Sequence, residues 1–308
     1  MNQFSRRMFL ATAAAVAPVS AATRKMTMQL SCGAIGVKAD QWQSLDYAAR
    51  YGFESIDAYT APLAAMSGAD LDRLKQQMAD KKIVWANAGL PVDFRQSEEK
   101  FADDLKKLPE QARGLQRASV NRVTTWLSPT SDSLTYIENF KQHVRRIKEM
   151  AIVLGDSGHR LGLEYVGPKT SWTARRYPFI HSMREMKELI AETGRSNIGF
   201  VLDSWHWYTA GESAVELRTL TNKDVVSIDL NDAPSGIPVD QQKDGSRELP
   251  TATGVIDVAS FLNTLNELGC DAPVRCEPFN QPLRNMPADQ ALETTASALK
   301  KAFALIRS

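Results

Sequence analysis

Short apolar runs alternate with longer amphipathic ones from residue 27 to the end of the chain, and this alternation limits the fold more than any other feature. Strands are expected near 27–32 (TMQLSC), 53–57, 83–87, 120–126, 161–165, 198–202, 225–230 and 273–277. Helices are expected near 40–51, 69–81, 97–117, 133–157, 181–194, 212–221, 257–268 and 288–306. Asp40 and Ser133 stand where N-caps belong, and Gly52, Gly194 and Gly269 stand where helices end on a left-handed residue. The strands are too uniformly apolar to be half exposed, which calls for a parallel sheet covered by helices. Eight such units in about 285 residues match the α/β class and, within it, a closed (β/α)8 TIM barrel. An open doubly wound sheet is the competing arrangement, but no strand leads into a GxGxxG or GxxxxGK phosphate loop.

Residues 1–22 have a different character. Ser5-Arg6-Arg7-Met8-Phe9-Leu10 sets two arginines before an Ala-rich apolar run, and Val19-Ser20-Ala21 offers small residues for cleavage. The expected organisation is therefore a twin-arginine signal peptide over 1–22 and one barrel domain over 23–308, with the folded protein exported to the periplasm or beyond. The apolar stretch is too short for a permanent membrane anchor. A formal net charge of +1 provides no basic field for nucleic acid. Cys32, Cys270 and Cys276 are too few and too irregular for a disulfide framework and read as buried free thiols.

Four of the apolar runs end in carboxylates: Glu164 in LGLEYVGP, Asp203 in VLDSWHWY, Asp229 in VVSIDLND and Glu277 in PVRCEPFN. Singly, an acid after a strand is usually a cap or turn residue. In a barrel all strand C-termini open on one face, and these four come from strands 5 to 8, so their side chains can converge. Four converging carboxylates repel one another unless a cation sits among them. An all-oxygen set suits Mn²⁺, or Mg²⁺ or another divalent ion, better than a thiolate-type zinc site. His206 follows Asp203 by three residues at the same rim.

In this order and at these strand ends, the residues resemble the xylose-isomerase-like barrel superfamily. Within it they are similar to the sugar phosphate isomerase/epimerase group, which includes ketose 3-epimerases and inosose dehydratases. The resemblance spans essentially all of 23–308. It implies that Glu164, Asp203 and Glu277 bind the metal, that Glu164 and Glu277 also form the acid/base pair, and that His206 faces the substrate. It also implies that Arg247, in the long loop after strand 7, reaches the substrate, with a solvated loop arginine as the alternative. At strand 7 the chain departs from the pattern, carrying Asp229 where the ketose 3-epimerases carry a histidine. An extra negative charge there should weaken the Lewis acidity of the ion. Asp232, three residues on, is a rival ligand or a cap for the following loop.

Such a site suits removal of a proton beside a carbonyl and its return on another face or atom, through an enediolate, on a small carbohydrate. A lyase or dehydratase acting on an oxidised sugar, keto-glycoside or cyclitol would use the same groups. A DNA-repair endonuclease of the same superfamily needs several zinc-binding histidines, and only His206 is suitably placed. A secreted barrel that binds sugar without turning it over is the reading from another class. Trp126 and Trp172 are the expected platforms for a sugar ring, while Trp205 and Trp207 suit rim packing. Lys169, Arg175 and Arg176 form a loop cluster able to meet an anion. His143, His159 and His181 read as surface or helix-face residues.

Overall fold

A computed structural model describes residues 24–307. Eight parallel strands, Thr27–Leu30, Ser55–Ala58, Val84–Gly89, Arg122–Trp126, Arg160–Glu164, Ile198–Asp203, Val225–Asp229 and Pro273–Arg275, stand side by side in chain order. The eighth closes on the first through Thr27 opposite Pro273 and Met28 opposite Val274. This is the expected (β/α)8 TIM barrel. Burial follows from it: Val225–Asp229 and Ile198–Asp203 are inaccessible along their whole length, walled by the interior on one side and helices on the other.

The helices begin and end for local reasons. Asp40 caps Gln41–Tyr51 with a full capping box, and Gly52, Gly194 and Gly269 take positive φ at the ends of their helices. The expected cap at Ser133 is corrected. Thr135 caps Tyr136–Asp156, because Glu138 three residues on returns the bond to the Thr135 N–H; Ser131 instead receives the N–H groups of Ser133 and Leu134. The sixth unit also differs, since its expected helix over 212–221 is a single turn, Ala214–Leu217.

The additions to the plain barrel gather on the face where strands end. Short helices Lys169–Trp172, Ser204–Thr209 and Gln281–Arg284 build the rim. An antiparallel pair, Thr130–Ser131 with Tyr177–Pro178, ties the loop after the fourth strand to the loop after the fifth. The three cysteines are free and buried, and burial pushes the Cys32 thiol up to about 11. Among the described residues, no helix is long and apolar enough to cross a membrane. The segment expected as a signal peptide lies outside the described residues.

Candidate metal centre and catalytic chamber

Strand register brings the site together. Asp203 lies opposite Asp229, Asp229 opposite Arg275, and Trp126 opposite Glu164. Cross-strand neighbours in a parallel barrel share a face, and Glu277, two residues beyond Arg275, continues the same face. Glu164, Asp203, Asp229 and Glu277 each offer an oxygen, all within 4.8 Å of one another.

Two buried arginines are interleaved with these acids. Arg275 grips Asp229 bidentately, Nε to Oδ1 and Nη2 to Oδ2 both at 2.7 Å, and Nη2 also donates to Glu277 Oε1 at 3.0 Å. Arg247 Nη1 donates to Asp203 Oδ2 at 2.6 Å, and Nη2 donates to Asp244 Oδ1 at 2.8 Å. Its guanidinium lies between the rings of Phe279, at 4.6 Å, and Trp205, at 5.7 Å. Phe279 has φ 44°, a left-handed conformation that costs a bulky residue about 1–3 kcal/mol, and it is held there against Arg247. Arg247 is thus a buried member of the cluster, only 2% exposed, and not a solvated loop residue.

The remaining partners are as specific. Asp203 Oδ1 accepts from the Trp205 N–H at 2.8 Å and from Asn231 Nδ2 at 3.0 Å. Burial raises its carboxyl to about 7 against the pull of Arg247. Glu164 is pushed well above the ordinary carboxylate range, first by burial and then by Asp229, Glu277 and Asp203. Burial also raises Glu277, against Arg275. His206 Nδ1 accepts from the Gly167 N–H at 3.2 Å, and its Nε2 lies 3.3 Å from Arg247 Nη2 and 3.7 Å from Glu164 Oε1. Burial and the adjacent Arg247 lower its pKa to about 3, so the ring is neutral. Gly167 permits this contact, because a Cβ there would lie 2.5 Å from the His206 carbonyl oxygen.

A divalent cation fits this donor set. Two guanidiniums leave the five carboxylates of the cluster, Asp244 included, with an excess of negative charge that a cation would offset. Glu164 Oε1 is buried without any hydrogen-bond partner, which is costly unless something binds it. The residues suited to hold the ion are Glu164, Asp203 and Glu277. Asp229 fits less well, because the Arg275 guanidinium occupies both of its oxygens; Asp203 also has a guanidinium on Oδ2, but its Oδ1 accepts only from the neutral Trp205 N–H and Asn231 amide.

Above this floor opens a cavity of about 700 Å³ whose walls include Trp126, Glu164, His206, Arg247, Arg275 and Phe279. Trp126 is 46% exposed. Trp172 is a correction: the turn Lys169–Trp172 directs it onto His181, with ring centroids 4.6 Å apart, while Ser171, Ala174 and Arg175 form the wall. Asp232 is a loop organiser; its oxygens accept the N–H groups of Ala233, Thr253, Gly254 and Ile256. Trp205 and Trp207 are buried packing residues. Lys169 pairs with Asp240 and Arg176 lies over Tyr177, so of the expected loop cluster only Arg175 reaches the cavity. His143 and His159 are buried, contrary to expectation, with ring nitrogens on the carbonyls of Asn139 and Ala112.

Arg275, Asp244 and Asn231 belong to the site but were not anticipated from the sequence. Nor was Asp57, which accepts from Gln29 and Ser31 inside the barrel. Asp57 had a usable signal, as the last residue of the run FESID, and Arg275 had another in its two-residue spacing from Glu277.

The family model described as "Xylose isomerase-like TIM barrel" matches residues 45–302. Two curated relatives are called inosose isomerase. The one from Bacillus subtilis is 24% identical over 57% of this chain and 62% of its own length; that from Halalkalibacterium halodurans is 23% identical over 85% and 93%. A 3-dehydroshikimate dehydratase of Pseudomonas aeruginosa is 21% identical over 84% of this chain and 39% of its own length. Among solved structures, a xylose isomerase domain protein from Alicyclobacillus acidocaldarius superposes with TM-score 0.79 at 30% identity, over 91% of this chain and 99% of its own. The IolI protein with a bound zinc atom superposes with TM-score 0.75 at 20% identity, over 92% and 100%.

Proposed function

Because the chain belongs to the xylose isomerase-like TIM barrel family, we propose that it is a divalent-metal-dependent sugar isomerase or epimerase. The reaction is proton transfer beside a carbonyl, and the substrate is a small carbohydrate. The observation that carries this reading is that Glu164 and Glu277 open onto one chamber from different strands, with different partners. Glu277 Oε1 is fixed by Arg275, whereas Glu164 Oε1 has no hydrogen-bond partner and lies 3.7 Å from His206 Nε2.

Bound among Glu164, Asp203 and Glu277, a divalent cation would act as a Lewis acid that makes the hydrogen beside the carbonyl acidic. The all-oxygen donor set favours Mn²⁺ for that place. Glu277 and Glu164 act as base and acid from opposite sides of the reacting carbon, one removing the proton and the other returning one. His206, neutral and fixed by Gly167, lines the chamber beside Glu164 and faces the substrate. Asp203, locked by Arg247, Asn231 and Trp205, keeps the floor from collapsing when the substrate leaves. Trp126 offers its face to the C–H side of the sugar ring.

The test is hydrogen exchange into sugars in D₂O with Mn²⁺, followed by NMR and comparing the native protein with Glu277→Gln. Exchange at one carbon with retained mass is expected, falling by at least about 100-fold in the variant while the sugar still binds. An unchanged exchange rate removes Glu277 from the mechanism. A lyase or dehydratase acting on an oxidised sugar, keto-glycoside or cyclitol is the second reading, supported by the relative named as a dehydratase. Loss of water or of an aglycone in the same spectra identifies it.

A further inference from the structure

The chamber does not end at Trp126. A second cavity of about 780 Å³ lies beyond it, between the loops after the third and fourth strands and the helix Tyr136–Asp156. Trp126, Ser128, Thr130 and Arg175 are walls of both spaces. The inner chamber alone, at about 700 Å³, is in the range that holds drug-sized ligands, more than one sugar ring requires. The outer one doubles it.

The shared wall is built as a platform. Arg95 lies over the Trp126 ring at 4.5 Å and donates Nη1 to the Trp126 carbonyl at 2.7 Å and to Thr125 Oγ1 at 3.0 Å. The indole is therefore braced by a guanidinium while remaining 46% exposed. The strap Thr130–Ser131 with Tyr177–Pro178 holds Thr130 at the same junction.

Charge in the outer cavity selects the ligand class. Its three arginines are each paired with an acid: Arg95 with Asp93 at 3.3 Å, Arg146 with Glu98 at 2.8 Å, an acid it shares with Arg145, and Arg175 with Asp132 at 3.4 Å. Among the described residues of its wall no arginine or lysine is without an acidic partner, while hydroxyl and amide groups such as Ser133 and Gln142 line the space. An aromatic platform in a charge-balanced polar cleft suits a neutral ring bearing hydroxyls.

We propose that the substrate is a neutral glycoside of two rings, with the reacting sugar, which carries the free or keto carbonyl this chemistry needs, in the inner chamber and the second ring over Trp126 in the outer cavity. This rests on the proposed reading of the inner chamber as a sugar site.

Calorimetry with Mn²⁺ present tests it, using D-glucose, cellobiose, phenyl β-D-glucoside and glucose 6-phosphate as probes. At least one two-ring probe should bind tenfold or more tighter than glucose, and glucose 6-phosphate no tighter than glucose. Ser133→Trp, an exposed position on the outer wall, should erase that advantage and leave glucose within threefold. Gln96→Trp provides a second exposed block should the first variant fold poorly. The subsite is overturned if no two-ring probe exceeds glucose, if the advantage survives both blocks, or if glucose 6-phosphate binds tightest. The D₂O exchange experiment judges the inner chamber independently, so exchange without a two-ring advantage removes the extension alone.

Discussion

Replacing Arg275 by Met separates the two roles open to Asp229, metal ligand or partner of a guanidinium. The substitution removes two charge-assisted bonds to Asp229 and one to Glu277, and leaves Asp229, wholly inaccessible, without a counter-charge. Breaking a buried pair from one side costs about 3–5 kcal/mol. At roughly 2–4 °C per kcal/mol for a domain of this size, the metal-free variant should melt about 10 °C lower. Metal should then matter more. With the guanidinium gone, Asp229 is free to bind the ion, and Mn²⁺ affinity should rise at least about tenfold, worth about 1.4 kcal/mol. In chelator-treated protein titrated with Mn²⁺ and followed by calorimetry and thermal melting, Arg275→Met should gain more from the ion than the native protein does. Asp229→Asn should change affinity by less than about tenfold, while Asp203→Asn, which removes a ligand, should cost at least about 100-fold. The double variant should recover most of the stability lost in either single one, because both halves of the pair are then gone. If Asp229→Asn abolishes Mn²⁺ binding as fully as Asp203→Asn, Asp229 is a ligand and the argument from its occupied oxygens is wrong; if Arg275→Met binds the ion more weakly, the guanidinium supports the site instead of keeping Asp229 from the ion.

Two further outcomes follow. Burial raises the Glu212 carboxyl to about 7, opposed by bonds from the Tyr165 hydroxyl at 2.5 Å and the Met183 N–H at 2.6 Å. Its proton is held more tightly in the folded state, so its contribution is complete below the ordinary glutamate range and is lost as pH rises through about 7. Glu212→Gln should therefore flatten the stability profile between about pH 4.5 and 7, where one such group contributes a slope of up to about 1.4 kcal/mol per pH unit; a parallel profile for native and variant refutes the assignment. We also propose that residues 1–22 direct export through the twin-arginine route. Replacing Arg6 and Arg7 together by Lys should leave the protein inside the cytoplasm, as fractionation and immunoblotting would show, and normal export of that variant sinks the proposal.

The barrel was legible because each unit carries an apolar run too continuous for a half-exposed strand, and several add a helix end marked by a residue such as Asp40, Gly52, Gly194 or Gly269. Where one signal stood alone, the reading drifted. Ser133 looked like a cap by residue type, but only Thr135 has the Glu138 that closes the box. Trp172 looked like a sugar platform by loop position, but a helical turn that periodicity cannot register sends it onto His181. Glu164, Asp203 and Glu277 could be found because strand ends are marked in the chain. Their partners could not, since Arg247 meets Asp203 across forty-four positions through a loop whose path no local pattern encodes.

Asp229 shows what a residue-by-residue comparison loses. Taken alone, aspartate in place of histidine adds a negative charge to an already acidic centre and predicts a weaker Lewis acid. The structure places Arg275 directly opposite it in register, with both carboxylate oxygens engaged. The pair as a whole is neutral, as a histidine ligand is, and the centre keeps an excess of negative charge for a cation. The guanidinium has a second consequence, because it also holds Glu277 by Oε1 and so positions the group proposed as base. A histidine at Asp229 would leave Arg275 without its bidentate partner. Exchange of Asp229 for the family's histidine should therefore impair the site unless Arg275 is changed as well: the unit that differs from the family pattern is the ion pair, not the single residue.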